Sequence, residues 1–114
     1  MTELHWLSAL EAAKLIKNKK LSPVELTDAL IKRIDKYDKH FNTFISFRPE
    51  QALKEASVAE ERVMKGDALG PLHGIPYGLK DIIDAKGWNT TAHSALLKDN
   101  LAGKDAFVTA KLKE

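Results

Sequence analysis

No cysteine occurs among the 114 residues, which excludes disulfides, zinc thiolate sites and cysteine nucleophiles together. Also missing is any apolar run approaching the roughly 18 residues that a membrane helix needs. The opening Met1-Thr-Glu-Leu-His-Trp6 contains an acid and has no apolar core of signal-peptide length, so a cytoplasmic location is the expectation. Charge of one sign is scarce as well. Eighteen basic and 16 acidic side chains leave a formal charge of +2, too balanced to advertise nucleic acid or a membrane as a direct partner. His5, His40, His73 and His93 are scattered without short ligand spacing, so no metal is expected. Gly103-Lys104 lacks the flanking residues of a phosphate loop, and Trp6, Tyr77 and Trp88 are too dispersed for a base-stacking platform. No cofactor is expected.

What is present begins with helix signals. Ser8 with Glu11 three residues later forms a capping box, and Ala9, Ala12, Ala13 and Ile16 then recur at helical spacing, predicting a helix to about Asn18. Ser22-Pro-Val-Glu25 repeats the signal, because serine caps and proline suits the first helical position; Leu26, Leu30, Ile34 and Tyr37 form the stripe. Asn42 to Phe47 alternates and predicts a strand closed by Pro49. Ala52, Ala56, Ala59 and Val63 mark a third helix, with Gly66 beyond its end. These stripes are packing faces. Gly70, Pro71, Gly74 and Pro76 then punctuate a loop, Tyr77 to Ile83 is predicted as a strand, and residues 84–104 lack periodicity. Asp105 is expected to cap a last helix bearing Phe107, Val108, Ala110 and Leu112.

Lys80 stands out, since Gly70-Pro-Leu-His-Gly-Ile-Pro-Tyr-Gly-Leu-Lys-Asp-Ile-Ile-Asp84 surrounds one amine with apolar residues. Two readings compete. Lys80 can snorkel to the surface or pair with Asp81 or Asp84. Alternatively, burial lowers its pKa, by up to about 3 to 5 units, and the neutral amine serves as a general base.

The stretch GPLHGIPYGLKDIIDAKGWNTTAHSALL, Gly70 to Leu97, resembles the first signature segment of the amidase signature family of amide hydrolases. Leu7 to Met64, including LSPVELTDALIKRI, resembles that family's N-terminal helices in order and spacing. The resemblance implies a mixed α/β sheet covered by helices and a Ser-Ser-Lys triad in which Lys80 is the base. The neutral lysine takes a proton through a bridging serine and so activates the nucleophile. It also implies that both serines, and the N–H groups that bind the oxyanion, belong to a downstream glycine- and serine-rich stretch of a kind these residues do not contain. One departure stands in Thr90-Thr-Ala-His93-Ser94, which puts histidine where family segments commonly have glycine. Ser94 beside His93 reads as a loop hydrogen-bonding residue, because chain neighbours seldom present hydroxyl and imidazole to each other.

The expected fold class is therefore α/β, the N-terminal part of the amidase signature fold. Residues 1–69 form a helical region and 70–114 the start of the core. At most two strands are predicted, fewer than a stable sheet needs, and the last helical pattern reaches Glu114 without a stop signal, so the chain is expected to be incomplete as an active unit and inactive by itself. Its complete form would act on a small-molecule amide, with a homo-oligomer or a complementing chain as candidate assemblies. The alternatives are a non-catalytic interaction module that binds through the segment after Gly70, and part of a tRNA-dependent amidotransferase. Lys80 is the one candidate catalytic residue; Asp81 is expected to hydrogen-bond nearby.

Overall fold

Two serines start the first two helices, and a computed structural model describing residues 3–114 shows how. The Ser8 hydroxyl accepts from the Glu11 N–H at 3.2 Å, and the Glu11 carboxylate accepts from the Ser8 N–H at 2.8 Å. That reciprocal pair satisfies donors the first turn would otherwise leave open, and α1 follows over Ala9–Lys17. The Ser22 hydroxyl accepts from the N–H groups of Val24 and Glu25 at 3.0 and 3.2 Å. Pro23, which has no N–H to satisfy, opens α2, Pro23–Phe41. Pro49 opens α3, Pro49–Lys65, which ends on Gly66 at φ 77°, the left-handed stop that glycine adopts without a Cβ penalty.

The chain divides into two units, up to Pro76 and from Tyr77 onward. In the first, α2 packs on α3, and Ala12, Ile16, Leu21, Leu26 and Val63 form the buried core. Leu69 and Ile75 pack against that cluster, so the loop 70–76 lies on the helical body. Fully burying a side chain the size of Ile16, Leu21, Leu26 or Val63 contributes about 1.5–3 kcal/mol.

The expected strand from Asn42 does not form. Asn42 is instead the left-handed C-cap of α2, at φ 52°, and the Thr43 N–H donates to the Asp38 carboxylate at 2.6 Å. Helix termination consumes the first residues of the would-be strand, and the segment bends at residues 45–46. Phe41, Phe44, Ile45 and Phe47 remain exposed. Nor does Tyr77–Ile83 form the predicted strand: the Ile83 N–H donates to the Lys80 carbonyl at 3.0 Å, closing a turn where the strand was predicted to continue. Both segments have the composition of strands but, among the described residues, no neighbouring strand to bond. Among the described residues the backbone pairing is one antiparallel bridge, Asn89 with Leu101, so the sheet of the predicted α/β class finds no ladder here.

That bridge belongs to a short hairpin in the second unit, within a stretch that the sequence predicts to lack regular structure. The Gly87 N–H donates to the Ala102 carbonyl at 3.0 Å, the Ala102 N–H to Trp88 at 2.9 Å, and the Thr90 N–H to Asn100 at 2.9 Å. The Asn89 and Asn100 side-chain amides add bonds to the carbonyls of Lys98 and Thr90. Beyond the hairpin, α4 spans Phe107–Lys113 and its N-cap is Ala106. Asp105, expected to be the cap, has another occupation: its carboxylate accepts from the Lys86 N–H at 2.6 Å and from the Lys113 ammonium at 2.8 Å. A cation at the end of α4 outcompetes the helix start for that carboxylate.

Candidate active site

Lys80 is exposed, and among the described residues its ammonium makes no hydrogen bond or ion pair with Asp81, Asp84 or any other group. Of the two readings open to the sequence, the exposed position agrees with the lysine that reaches the surface; the enclosure that the other needs is not met, because no strand flanks the segment among the described residues. Its main chain is better held. The Lys80 carbonyl closes the turn to Ile83, and Asp81, the next residue, is tied to the loop ten positions on.

Asp81 is the centre of that tie. One carboxylate oxygen accepts from the Thr91 N–H at 2.8 Å and the other from the Thr91 hydroxyl in a short bond. The second oxygen also accepts, more weakly, from the His93 N–H at 3.4 Å. The Asp81 carbonyl takes the Ala92 N–H at 2.8 Å. Donors that favour the charged form, the Thr91 hydroxyl first and its N–H second, hold the Asp81 carboxyl below the usual carboxylate range. Thr91 is buried at 6 % exposure, so its polar groups need these partners.

The tied loop is strained. Ala92 and His93 lie consecutively in the left-handed region, at φ 47° and 56°, and the Ser94 N–H donates to the Thr91 carbonyl at 2.8 Å. Positive φ at both central residues with that closing bond is the pattern of a type I′ turn, in which glycine and asparagine predominate. The backbone geometry at His93 is thus the one glycine favours, adopted here by a side chain with a Cβ. The Ser94 hydroxyl makes no capping bond to the single 3-10 turn Ala95–Leu97 that follows.

Asp84 organises the neighbouring segment. Its carboxylate accepts from the Thr90 hydroxyl at 2.6 Å; its carbonyl accepts from the hydroxyl of the fully buried Thr109 at 2.7 Å and from the Ala106 N–H at 2.9 Å. Sequence reasoning missed Thr91, Thr90 and Thr109 as partners. The available signal was two aspartates, 81 and 84, followed by a Thr-Thr pair in a stretch too polar for a core. Among the described residues no group of three or more His, Asp or Glu side chains could hold a metal, and no helix is long and apolar enough to cross a membrane.

The chain is similar to known proteins over almost its whole length. The family model described as Amidase matches residues 25–114. The chain is 37 % identical, over 99 % of its length, to an acylamidase of Rhodococcus erythropolis. It is 40 % identical, over 98 %, to the A-type subunit of the glutamyl-tRNA(Gln) amidotransferase of Geobacter sp. strain M21. It spans about a quarter of each of these relatives, 24 % and 23 %. Among solved structures, a bacterial aryl acylamidase of the amidase signature enzymes superposes with TM-score 0.81 at 32 % identity, over 89 % of this chain and 21 % of that one. A second, from a vestigial protein complex bearing on the origins of an s-triazine catabolic enzyme, superposes with TM-score 0.88 at 28 % identity, over 94 % and 24 %.

Proposed function

Because this chain belongs to the amidase signature family, we propose that it supplies the general-base segment of a hydrolase that cleaves a C–N amide bond, with Lys80 as the base. The observation that carries the reading is the family match over residues 25–114, which includes the Gly-Leu-Lys80-Asp run. In this reading the remaining three quarters of the enzyme supply the nucleophilic serine, the bridging serine and the oxyanion donors. They also cover the Tyr77–Ile83 segment with partner strands, completing the mixed α/β sheet.

The proton path follows from those parts. Enclosure by neighbouring strands favours the uncharged amine. The amine draws a proton from the bridging serine as that serine takes one from the nucleophile, whose oxygen attacks the amide carbonyl. The tetrahedral oxyanion is held by main-chain N–H groups and collapses as the proton returns to the departing ammonia or amine. Water then releases the acyl group by the same route in reverse. The 114 residues alone provide a base without its nucleophile and hydrolyse nothing. The substrate is a small-molecule amide. Similarity to the glutamyl-tRNA(Gln) amidotransferase supports a second reading, in which the amide cleaved is glutamine and the ammonia passes to a tRNA-linked acceptor.

Replacing the matching first quarter of the Rhodococcus erythropolis acylamidase with this chain tests the assignment. The exchanged enzyme should hydrolyse an anilide, and Lys80→Ala should lower the rate by about 10²- to 10⁴-fold, the usual worth of a positioned base. Full activity after that substitution would mean that Lys80 is not the base, and would favour a non-catalytic interaction module.

A further inference from the structure

Asp81, the residue after Lys80, accepts four hydrogen bonds from the loop of Thr91, Ala92 and His93. We propose that Asp81 is a positioning residue: by clasping Thr91 and His93 it fixes the main chain from which Lys80 projects. The proposal rests on the general-base reading for its purpose, but its geometry stands without it.

Three observations carry it. First, among the described residues the Lys80 ammonium has no hydrogen-bond or ion-pair partner, so its placement comes from the backbone on either side. On the N-terminal side the chain from Ile75 to Lys80 has no regular structure. On the C-terminal side Asp81 is held through both carboxylate oxygens and through its own carbonyl. An acceptor used at main chain and side chain together defines position and orientation at once, as a single bond cannot.

Second, the clasp maintains a conformation the local sequence disfavours. Two consecutive non-glycine residues at positive φ, Ala92 and His93, persist only where the surroundings over-determine them, and such strain collects at functional sites. The His93 N–H bonds the Thr91 hydroxyl at 3.1 Å as well as the Asp81 carboxylate, so Thr91 is the inner link and Asp81 the outer one. Third, Asp81 is joined to Lys80 by a peptide bond, so whatever holds the Asp81 main chain holds that of Lys80. A shift of about 1 Å in a catalytic group can lower turnover by about 10²-fold, which gives a reason for fixing that main chain tightly.

The test uses this chain, labelled with ¹⁵N, and reads the backbone order parameter of the Lys80 amide beside those of Trp88 and Ala102 in the hairpin. In the unaltered chain all three should lie near 0.85, the value of rigid backbone, and in Asp81→Asn and Thr91→Val the Lys80 value alone should fall below about 0.6. Thr91→Ser, which keeps the hydroxyl, should restore it. The proposal is overturned if Lys80 stays rigid in both variants. It is also overturned if the hairpin amides loosen together with Lys80 in both, since Asp81 would then hold the unit as a whole. Order parameters do not depend on proton transfer, so an inactive base would leave this result unchanged, and the activity test of Lys80→Ala is read with Asp81 and Thr91 unaltered, so the two can fail separately.

Discussion

The His73 imidazole donates through Nε2 to the main-chain carbonyl of Ala59, 2.8 Å away in the middle of α3. A carbonyl only accepts, so the proton resides on Nε2. The bond ties the glycine- and proline-punctuated loop to that helix. His73→Phe keeps a ring and removes the donor, and it should lower the unfolding free energy of the first unit by about 1 kcal/mol, read from urea denaturation with an unchanged slope.

Gly74 in the same loop is close to irreplaceable. It sits at φ 78°, and a Cβ there would meet the Pro23 ring at 2.9 Å and Ile16 at 3.4 Å. Both the left-handed backbone and the close approach to the Pro23 ring, which is rigid and buried, oppose alanine, while the Ile16 Cδ1 methyl lies at ordinary contact distance. Gly74→Ala should destabilise the first unit by roughly 2–4 kcal/mol, measurable as a lower denaturation midpoint. A change under about 0.5 kcal/mol would show that the loop does not press on α1 and α2 as the structure has it.

His93→Gly should have the opposite sign. The substitution removes the Cβ from a residue at φ 56°, relieving roughly 1 kcal/mol of left-handed strain, while the main-chain donors to Asp81 and Thr91 remain. Set against glycine's larger unfolded-state entropy, of roughly 0.5–1 kcal/mol, the net effect should be neutral to mildly stabilising. His93→Val, β-branched and poorly suited to positive φ, should be clearly destabilising. Thermal midpoints of the two variants check the order.

Acid should open the second unit's ties. Asp81, held down by the Thr91 hydroxyl and N–H, and Asp105, held down by the Lys113 ammonium and the Lys86 N–H, both have folded pKa values below the usual range. A carboxylate depressed on folding stabilises fully above its unfolded value, about 3.9 for aspartate, and the contribution is lost as pH falls through the lower folded value. Amide protection at Thr91 and Ala92 should therefore hold at pH 5 and decline below about pH 4. Glu11, lowered first by the Ser8 N–H and then by its hydroxyl, should let the start of α1 fray over a similar acid range. Hydrogen exchange across pH 3 to 6 reads both, and protection that weakens instead as pH rises would reverse the assignment.

Much of the first unit was legible in sequence because its signals are local. Ser8 with Glu11, Ser22 with Pro23, and Gly66 mark the ends of helices whose apolar spacing follows one chain segment at a time. The family resemblance, too, rested on contiguous residues around Lys80. Strands are different, since their composition states a capacity for pairing and their formation needs another strand. Asn42 to Phe47 and Tyr77 to Ile83 have that capacity and form no strand among the described residues. Asn42, read as the start of a strand, ends a helix, because its left-handed backbone and the Asp38 carboxylate settle the junction first.

What tertiary structure alone decided was the partner of each polar side chain. Nothing in the spacing of Asp81 and Thr91, or of Asp84 and Thr109, distinguishes them from solvated loop residues; folding brings them together and leaves Thr109 fully buried. It also decided that Asp105 would bond Lys86 and Lys113 rather than cap α4, and that Lys80 would stand exposed. The sequence determined where the first two helices begin and which family the segment around Lys80 belongs to, because those depend on residue type and near-neighbour spacing. Burial, strain at Ala92 and His93, and the clasp on Asp81 depend on contacts between segments distant in the chain, and only the folded backbone sets those distances.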